Sequence, residues 1–235
     1  LLLAPDDFFV RSRYLHARST LQSLLEAGIV PIVNENDTVS VEEIRLGDND
    51  RLSSLVATLI RADGLVILST AAALFDKDPT RFEDAKRISE VTEINEHISG
   101  LATDSVSHWG RGGMATKIEA ARSASRFGIP TLIADGLENQ ILQRLLNGED
   151  LGTFFRPEPV GLKGRKHWIA FTLKPSGQIN IDDGAVRVLL HQGKSLLPSG
   201  ITSLSGDFER GDCVLVCDSQ GNQIARGLSA YEGGQ

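Results

Sequence analysis

Several features that define other protein classes are scarce or missing in this sequence. No run approaches the roughly 18 consecutive apolar residues that a membrane-spanning helix needs, so no membrane span is predicted. An excess of positive charge is also missing. The net charge of −7 argues against nucleic-acid binding by the whole surface, although a local basic patch could still bind RNA. Internal repeats and low-complexity tracts are absent as well.

Cysteine is rare, and its placement argues against a disulfide or a zinc site. The two cysteines, Cys213 and Cys217, would share one face of a strand but lie too far apart along it to bridge easily. No histidine accompanies them at zinc-ligand spacing. We therefore predict packed free thiols in a reducing compartment, which favours a cytoplasmic location, and no metal-binding residues.

The two ends of the sequence also lack expected features. The first residues contain neither an initiator Met nor the basic and apolar pattern of a signal peptide, and the last residues directly follow a strand-like segment. We expect truncation at both ends. A function that needs further residues would then belong to a longer parent protein.

The first two thirds of the sequence alternate between amphipathic helices and short apolar strands. The predicted helices are Tyr14–Ala27, a helix capped by Asp48 or Asn49 and reaching Ile60, Ala115–Phe127 and Asn139–Leu146, and the predicted buried strands are Ile29–Val33, Leu65–Leu68 and Ile129–Ala134. This alternation is typical of α/β proteins with a mostly parallel sheet covered by helices. We predict a three-layer α/β domain in residues 1–158, with ligands beyond the carboxyl ends of the strands.

The character of the sequence changes after Arg156, where short strands separated by turn residues replace the helical pattern. The predicted strands are Trp168–Leu173, Gln178–Ile181, Cys213–Cys217 and Gln223–Gly227, and a single short helix covers Ala185–His191. We predict a separate small β-rich domain in residues 163–235. Arg165–Trp168 is both basic and aromatic, as an RNA contact would be, but four residues are a weak basis for that, and an exposed strand start is the better interpretation.

A glycine-rich loop at Gly110–Lys117 (GRGGMATK) carries the strongest functional signal. Glycines let the backbone approach a phosphate closely, and the helix that follows offers free N–H groups and a favourable dipole. Lys117, just inside that helix, can add a positive charge to a phosphoryl group. The spacing is not that of a Walker A motif, and a glycine loop that merely starts a helix is the simpler alternative.

Two clusters of Asn and Asp, Asn34–Asp37 (NEND) and Gly47–Asp50 (GDND), form a second candidate site. Such side chains can bind an ammonium group, orient amides or position lysines and Mg²⁺. Each cluster by itself could equally supply turn residues and helix caps. Ser69-Thr70 follows another predicted strand and could contact a nucleotide or simply end the strand. Two polar clusters flanking one short connection favour a binding site.

These segments together resemble the glutamate 5-kinases of the amino acid kinase family. The matching stretches are Ile29–Asp37, Gly47–Asp50, Asp104–Lys117 and Gly152–Phe155, and the tail from Arg165 to Gly227 is similar to a PUA domain. The resemblance implies ATP-dependent phosphorylation of the γ-carboxylate of L-glutamate with Mg²⁺, as the first step of proline biosynthesis. It also implies a homo-oligomer and feedback inhibition by proline.

The resemblance also implies roles for individual residues. Asn34, Asp37 and Asn49 would hold glutamate, with Asp48 nearby, and Asp50 would orient catalytic lysines. Lys117 would stabilise the transferring phosphoryl group. The ATP site implied by the family would comprise Ser69, Thr70, Arg111, Gly112, Gly113, Met114, Ala115, Thr116 and Lys117.

The sequence departs from the family pattern in two places. The strand and glycine-rich turn that carry a further phosphate-binding lysine in the family, and a later glutamate-binding serine, have no counterpart in these residues. Where the family has Thr-Asp-x-x-Gly-Leu-Tyr, this sequence has Ser69–Phe75 (STAAALF), without the Asp and the Gly. A kinase for another small carboxylate and an RNA-binding PUA protein are the alternative interpretations.

Overall fold

The structure is a computed structural model that describes residues 1–38, 48–102, 113–159, 173, 175–192 and 195–233. Contacts divide the chain into two compact units, one of Leu1–Pro5 with His16–Gly161, the other of Asp6–Leu15 with Leu162–Gln235. The proposed boundaries at 158 and 163 remain a prediction. Among the described residues, no helix has the length and apolarity that crossing a bilayer requires.

The part of the chain before residue 160 contains short strands and helices in alternation. Its elements are β1 (Leu2–Leu3), α1 (Asp6–Phe9), α2 (Arg11–Glu26), β2 (Asn34–Glu35), α3 (Asn49–Ile60), β3 (Leu65–Ser69), β4 (Glu90–Val91), α4 (Glu96–Gly100), α5 (Met114–Ser125), β5 (Thr131–Asp135), α6 (Ile141–Leu146) and β6 (Thr153–Phe155). All four predicted helices and the strands at β3 and β5 are confirmed, whereas β4 and β6 were missed because two or three residues are too short to show a period.

Four strands form the main sheet in the order β3-β5-β6-β4. β3 pairs parallel with β5, β4 pairs parallel with β6, and β5 and β6 are antiparallel. A separate parallel pair joins β1 to β2. The predicted α/β class with a mostly parallel sheet is therefore confirmed.

Helices α3 and α5 cover one face of this sheet. Ala57 of α3 and Ala121 of α5 belong to the same buried cluster as Ile67, Ile133 and Phe155 of the strands. Alanines at the contact face of α5 let it approach closely, and Ala121 is fully buried. This packing places the first turns of α3 and α5 next to each other.

The prediction of a buried strand at Ile29–Val33 is wrong. Strand pairing in this region is confined to β2, and Val30 and Ile32 are 84% and 85% exposed. Pro31 and Val33, which alternate with these exposed residues, point to the other side and line a cavity of about 370 Å³ beside α3. A continuous apolar run predicted burial on both faces, but within the described residues only one side of this segment is covered.

Two fully buried threonines in the sheet have opposite hydrogen-bonding states. The Thr153 hydroxyl donates to the Ile88 carbonyl oxygen at 2.7 Å and accepts from the Leu74 N–H at 2.8 Å. The Thr131 hydroxyl has no partner in the part of the chain that the structure describes. Burial of an unpaired hydroxyl lowers the stability of the fold. A buried hydroxyl with both partners instead stabilises the contact between the segments that it links.

Thr153→Val is expected to lower the free energy of unfolding by about 2–4 kcal/mol, because it leaves the buried N–H of Leu74 and the partly buried carbonyl of Ile88 without this partner. Thr131→Val has the same change of shape and is the matched control. Since it removes only an unpaired hydroxyl, we expect no loss and a gain of up to about 1 kcal/mol. Urea unfolding of the two variants checks both values. Equal losses in the two variants would contradict the assigned hydrogen bonds.

The C-terminal unit contains a four-stranded mixed sheet with one helix. Its elements are β7 (Gly177–Ile181), α7 (Asp183–Gln192), β8 (Ile201–Gly206), β9 (Cys213–Cys217) and β10 (Gln223–Leu228), in the sheet order β10-β9-β7-β8. The predicted strands at β7, β9 and β10 and the helix α7 are confirmed. The strand predicted at Trp168–Leu173 and the basic segment Arg165–Trp168 fall outside the described residues, apart from Leu173.

Strand β8 was missed because its residues, ITSLSG, show no apolar alternation and are only partly buried or exposed. Ile179 and Ile181 of β7 pack with Val214 and Val216 of β9 to form the core of this unit. Cys213 and Cys217 are not joined in a disulfide and each is 3% exposed, so the predicted packing of both thiols is confirmed. Burial raises the pKa of the Cys213 thiol above its usual value.

Candidate functional site

The first turn of α3 is fixed by a side-chain cap. Asp48 has extended backbone angles, and its Oδ1 accepts a hydrogen bond from the Arg51 N–H at 2.8 Å. This arrangement confirms the predicted helix cap at Asp48 and satisfies one of the free N–H groups of the helix. Asn49 and Asp50 therefore occupy fixed positions in the first helical turn, with Asp50 pointing toward α5.

An ion pair joins this turn to α5. The Lys117 ammonium lies 3.0 Å from Oδ2 of Asp50, with the two side chains 8% and 13% exposed. Charges buried to this degree need a partner, because water no longer solvates them. In the described part of the chain, Lys117 forms one hydrogen bond, to Asp50, which uses one of its three N–H groups.

The N-terminus of α5 differs from that of α3 in its capping residue. Gly113 is the residue before the helix, and as a glycine it has no side chain to cap the first N–H groups. Uncapped N–H groups and the helix dipole together favour an anion at this position. Met114 and Ala115 form the first turn, with Lys117 just beyond it. Arg111 and Gly112, also predicted to bind ATP, fall outside the described residues.

Thr116 contacts Asp50 as well. Its hydroxyl lies 2.7 Å from Oδ2 of Asp50 and 2.8 Å from the carbonyl oxygen of Gly113. The sequence predicted Thr116 as an ATP-binding residue and gave no indication of a contact with Asp50, which lies 66 positions away. Only the packing of α3 against α5 brings the two together.

The Asn34–Asp37 segment lies beside α3. Val33, directly before this segment, lines the same cavity as Asn49, which places the two predicted glutamate-binding clusters at one edge of the unit. The Asn36 N–H donates to the Leu3 carbonyl oxygen at 2.8 Å. Asn34 and Asp37 themselves are exposed, so their side chains are accessible to a ligand. Gly47, at the start of the second cluster, is outside the described residues.

Ser69 and Thr70 follow the carboxyl end of β3. Ser69 lies in register with Asp135 of β5, and its hydroxyl accepts from the Ala71 N–H at 3.0 Å. Thr70 is exposed. Among the described residues, no hydrogen bond or ion pair joins Ser69 or Thr70 to Asp50 or Lys117. Asp135 is the last residue of β5 and was not predicted as a site residue, although it directly follows the predicted buried strand Ile129–Ala134.

Comparison with known proteins identifies the family of this chain. Residues 1–135, which contain every candidate residue named above, match the amino acid kinase family. The chain belongs to the amino acid kinase family. Residues 177–235 match the PUA domain.

Curated relatives of this amino acid kinase match almost its whole length. Glutamate 5-kinase from Syntrophotalea carbinolica is 48% identical over 231 residues, which are 98% of this chain and 62% of the relative. Glutamate 5-kinase from Moorella thermoacetica is 49% identical over 98% of this chain and 61% of the relative. The chain thus spans about three fifths of the length of these relatives. Carbamate kinase from Giardia lamblia is 22% identical over 60% of this chain and 44% of its own, with a TM-score of 0.44, too low for an argument.

Proposed function

We propose that the protein containing this chain is a glutamate 5-kinase, which uses ATP to phosphorylate the γ-carboxylate of L-glutamate. The observation that carries the proposal is the buried Asp50–Lys117 pair beside the uncapped N-terminus of α5. The names of the curated relatives support glutamate as the acceptor. Within this proposal, Asn34, Asp37 and Asn49 bind glutamate and the first turn of α5 binds phosphate.

The reaction requires positioning and charge neutralisation rather than a covalent protein intermediate. The γ-carboxylate is already ionised at neutral pH, so its oxygen can attack phosphorus without a general base. The bond between phosphorus and the leaving oxygen of ADP then breaks. Lys117, anchored by Asp50, neutralises charge on the phosphoryl oxygens as they transfer. The product is glutamyl 5-phosphate, an acyl phosphate.

ATP and Mg²⁺ are the cofactors in this proposal. Within the described residues, no group of three or more His, Cys, Asp or Glu side chains could form a protein cage for a metal. This fits Mg²⁺, which usually keeps several waters and binds through substrate phosphates in kinases. Bound with ATP, the ion supplies charge neutralisation between phosphate groups. Feedback inhibition by proline, homo-oligomeric assembly, a cytoplasmic location and RNA binding by the PUA domain remain predictions.

The test uses the full-length protein that contains this chain, assayed for ADP release with glutamate, aspartate and N-acetylglutamate as acceptors. We expect ADP release with glutamate alone, and hydroxylamine should trap the acyl phosphate as the hydroxamate. Release with aspartate or N-acetylglutamate instead would assign a different acceptor. The chain of 235 residues is expected to be inactive alone, because a second phosphate-binding lysine is expected outside it.

A further inference from the structure

The hydroxyl of Thr116 has two acceptors and one proton. Oδ2 of Asp50 lies 2.7 Å away and the Gly113 carbonyl oxygen 2.8 Å away. An ionised carboxylate is a stronger acceptor than a peptide carbonyl, and the low exposure of Asp50 strengthens the preference. The proton therefore belongs mainly to the bond with Asp50. The side chain of Thr116 is turned toward the protein and not toward the space in front of the helix.

Two donors consequently converge on one oxygen of Asp50. The Thr116 hydroxyl and the Lys117 ammonium, from adjacent residues, bind Oδ2 at 2.7 and 3.0 Å. A lysine side chain has four rotatable bonds, so the position of its ammonium depends on a fixed anchor. One donor alone leaves the carboxylate free to rotate about its terminal bond. The second donor removes that freedom and fixes the place of the anchor.

We propose that Thr116 is a positioning residue, whose hydroxyl holds Asp50 and through it Lys117, and that this hydroxyl makes no contact with the nucleotide. The expected effect on catalysis rests on the proposed kinase function, whereas the contact between Thr116 and Asp50 does not. This role differs from the one expected for the neighbouring residues of the glycine loop. The backbone N–H groups of Met114 and Ala115 lie at the N-terminus of α5, whereas the Thr116 side chain acts through α3.

Steady-state kinetics of the full-length protein separate positioning from nucleotide binding. Thr116→Val keeps the shape and removes the hydroxyl, and we expect kcat to fall about 10- to 100-fold, the effect of one charge-assisted hydrogen bond. The KM for ATP and the Kd of the nucleotide, from calorimetry, should stay within about twofold, because no nucleotide contact is lost. Thr116→Ser restores the hydroxyl and should recover kcat to within about threefold.

Thr58→Val is the matched control for the loss of a helical hydroxyl. The Thr58 hydroxyl donates to the Ser54 carbonyl oxygen within α3 at 2.8 Å and, among the described residues, forms no hydrogen bond with a site residue. We expect wild-type kcat from this variant. An unchanged kcat in Thr116→Val would overturn the positioning role. A tenfold or greater rise in the KM or Kd for ATP would show instead that the hydroxyl contacts the nucleotide.

A double-mutant cycle in urea unfolding of this chain tests the contact independently of any activity. Thr116→Val and Asp50→Asn should each raise the unfolding equilibrium constant. The double variant should raise the unfolding equilibrium constant about tenfold less than the product of the two single increases, since both substitutions remove the same hydrogen bond. Multiplicative effects would overturn the inference. Absence of glutamate-dependent ADP release by the wild type would instead overturn the proposed function, and the cycle would still decide the contact.

Discussion

Lys117→Met in the full-length protein is expected to lower kcat for glutamate phosphorylation about 1,000-fold. The ammonium is buried and anchored 3.0 Å from Asp50, close to the N-terminus of α5. Removal of a preorganised charge from a water-excluded site commonly costs 100-fold to 1,000-fold or more. Methionine has a similar length and no charge, so it preserves the packing while the charge is lost. The KM for glutamate should change little, because the proposed function assigns Lys117 to the phosphoryl group of ATP.

Lys86→Met is the matched control, because Lys86 is exposed and lies outside the candidate site. We expect wild-type kinetics from it. The measurement is ADP release under saturating ATP and glutamate, with circular dichroism to verify that both variants fold. A loss of less than tenfold in Lys117→Met would contradict the role assigned to its ammonium. An equal loss of kcat in Lys86→Met would show that removal of any lysine charge lowers the activity, and not the loss of Lys117 in particular.

Gly152→Ala is expected to lower the free energy of unfolding of the unit formed by Leu1–Pro5 and His16–Gly161 by about 3–5 kcal/mol. Gly152 precedes β6 with φ at +70°, and an added Cβ would lie 2.1 Å from the Ile133 carbonyl oxygen. The left-handed conformation alone costs about 1–2 kcal/mol for a residue with a Cβ. The overlap adds the rest, because the obstacle is backbone of the central strand β5 and cannot move aside independently.

Gly148→Ala separates the two contributions. Gly148 also has a positive φ, +83°, but an added Cβ would meet nothing within 4 Å. Its replacement should cost only the conformational part, about 1–2 kcal/mol. Urea unfolding of both variants gives the comparison. Similar losses at the two positions would show that β5 and β6 are not packed as closely as described.

The sequence predicted much of the local structure correctly because the signals lie within a few residues. Asp48 before an apolar helical pattern predicted the cap of α3, and the glycines before Met114 predicted the start of α5. The alternation of helices and apolar strands predicted the α/β class. These signals depend on hydrogen bonds to neighbouring residues and on the periodicity of burial, which short windows contain.

The errors occurred where neighbours distant in sequence decide the outcome. Ile29–Val33 reads as a buried strand, yet Val30 and Ile32 are exposed, because within the described residues only one side of the segment is packed. β8 has no apolar pattern and exists because β7 provides a hydrogen-bonding edge. Strand formation of this kind depends on the partner and not on the strand's own residues.

The sequence by itself determined the kinds of residue in the site, including the acidic and amide clusters, the glycine loop and Lys117. The tertiary structure decided which of them interact. Asp50 and Lys117 are 67 positions apart, and they form a pair because alanines let α5 pack closely beside α3 on the same sheet face. The same packing assigned the Thr116 hydroxyl to Asp50. Contacts of this kind follow from the meeting of two helix surfaces, which no local stretch of sequence specifies.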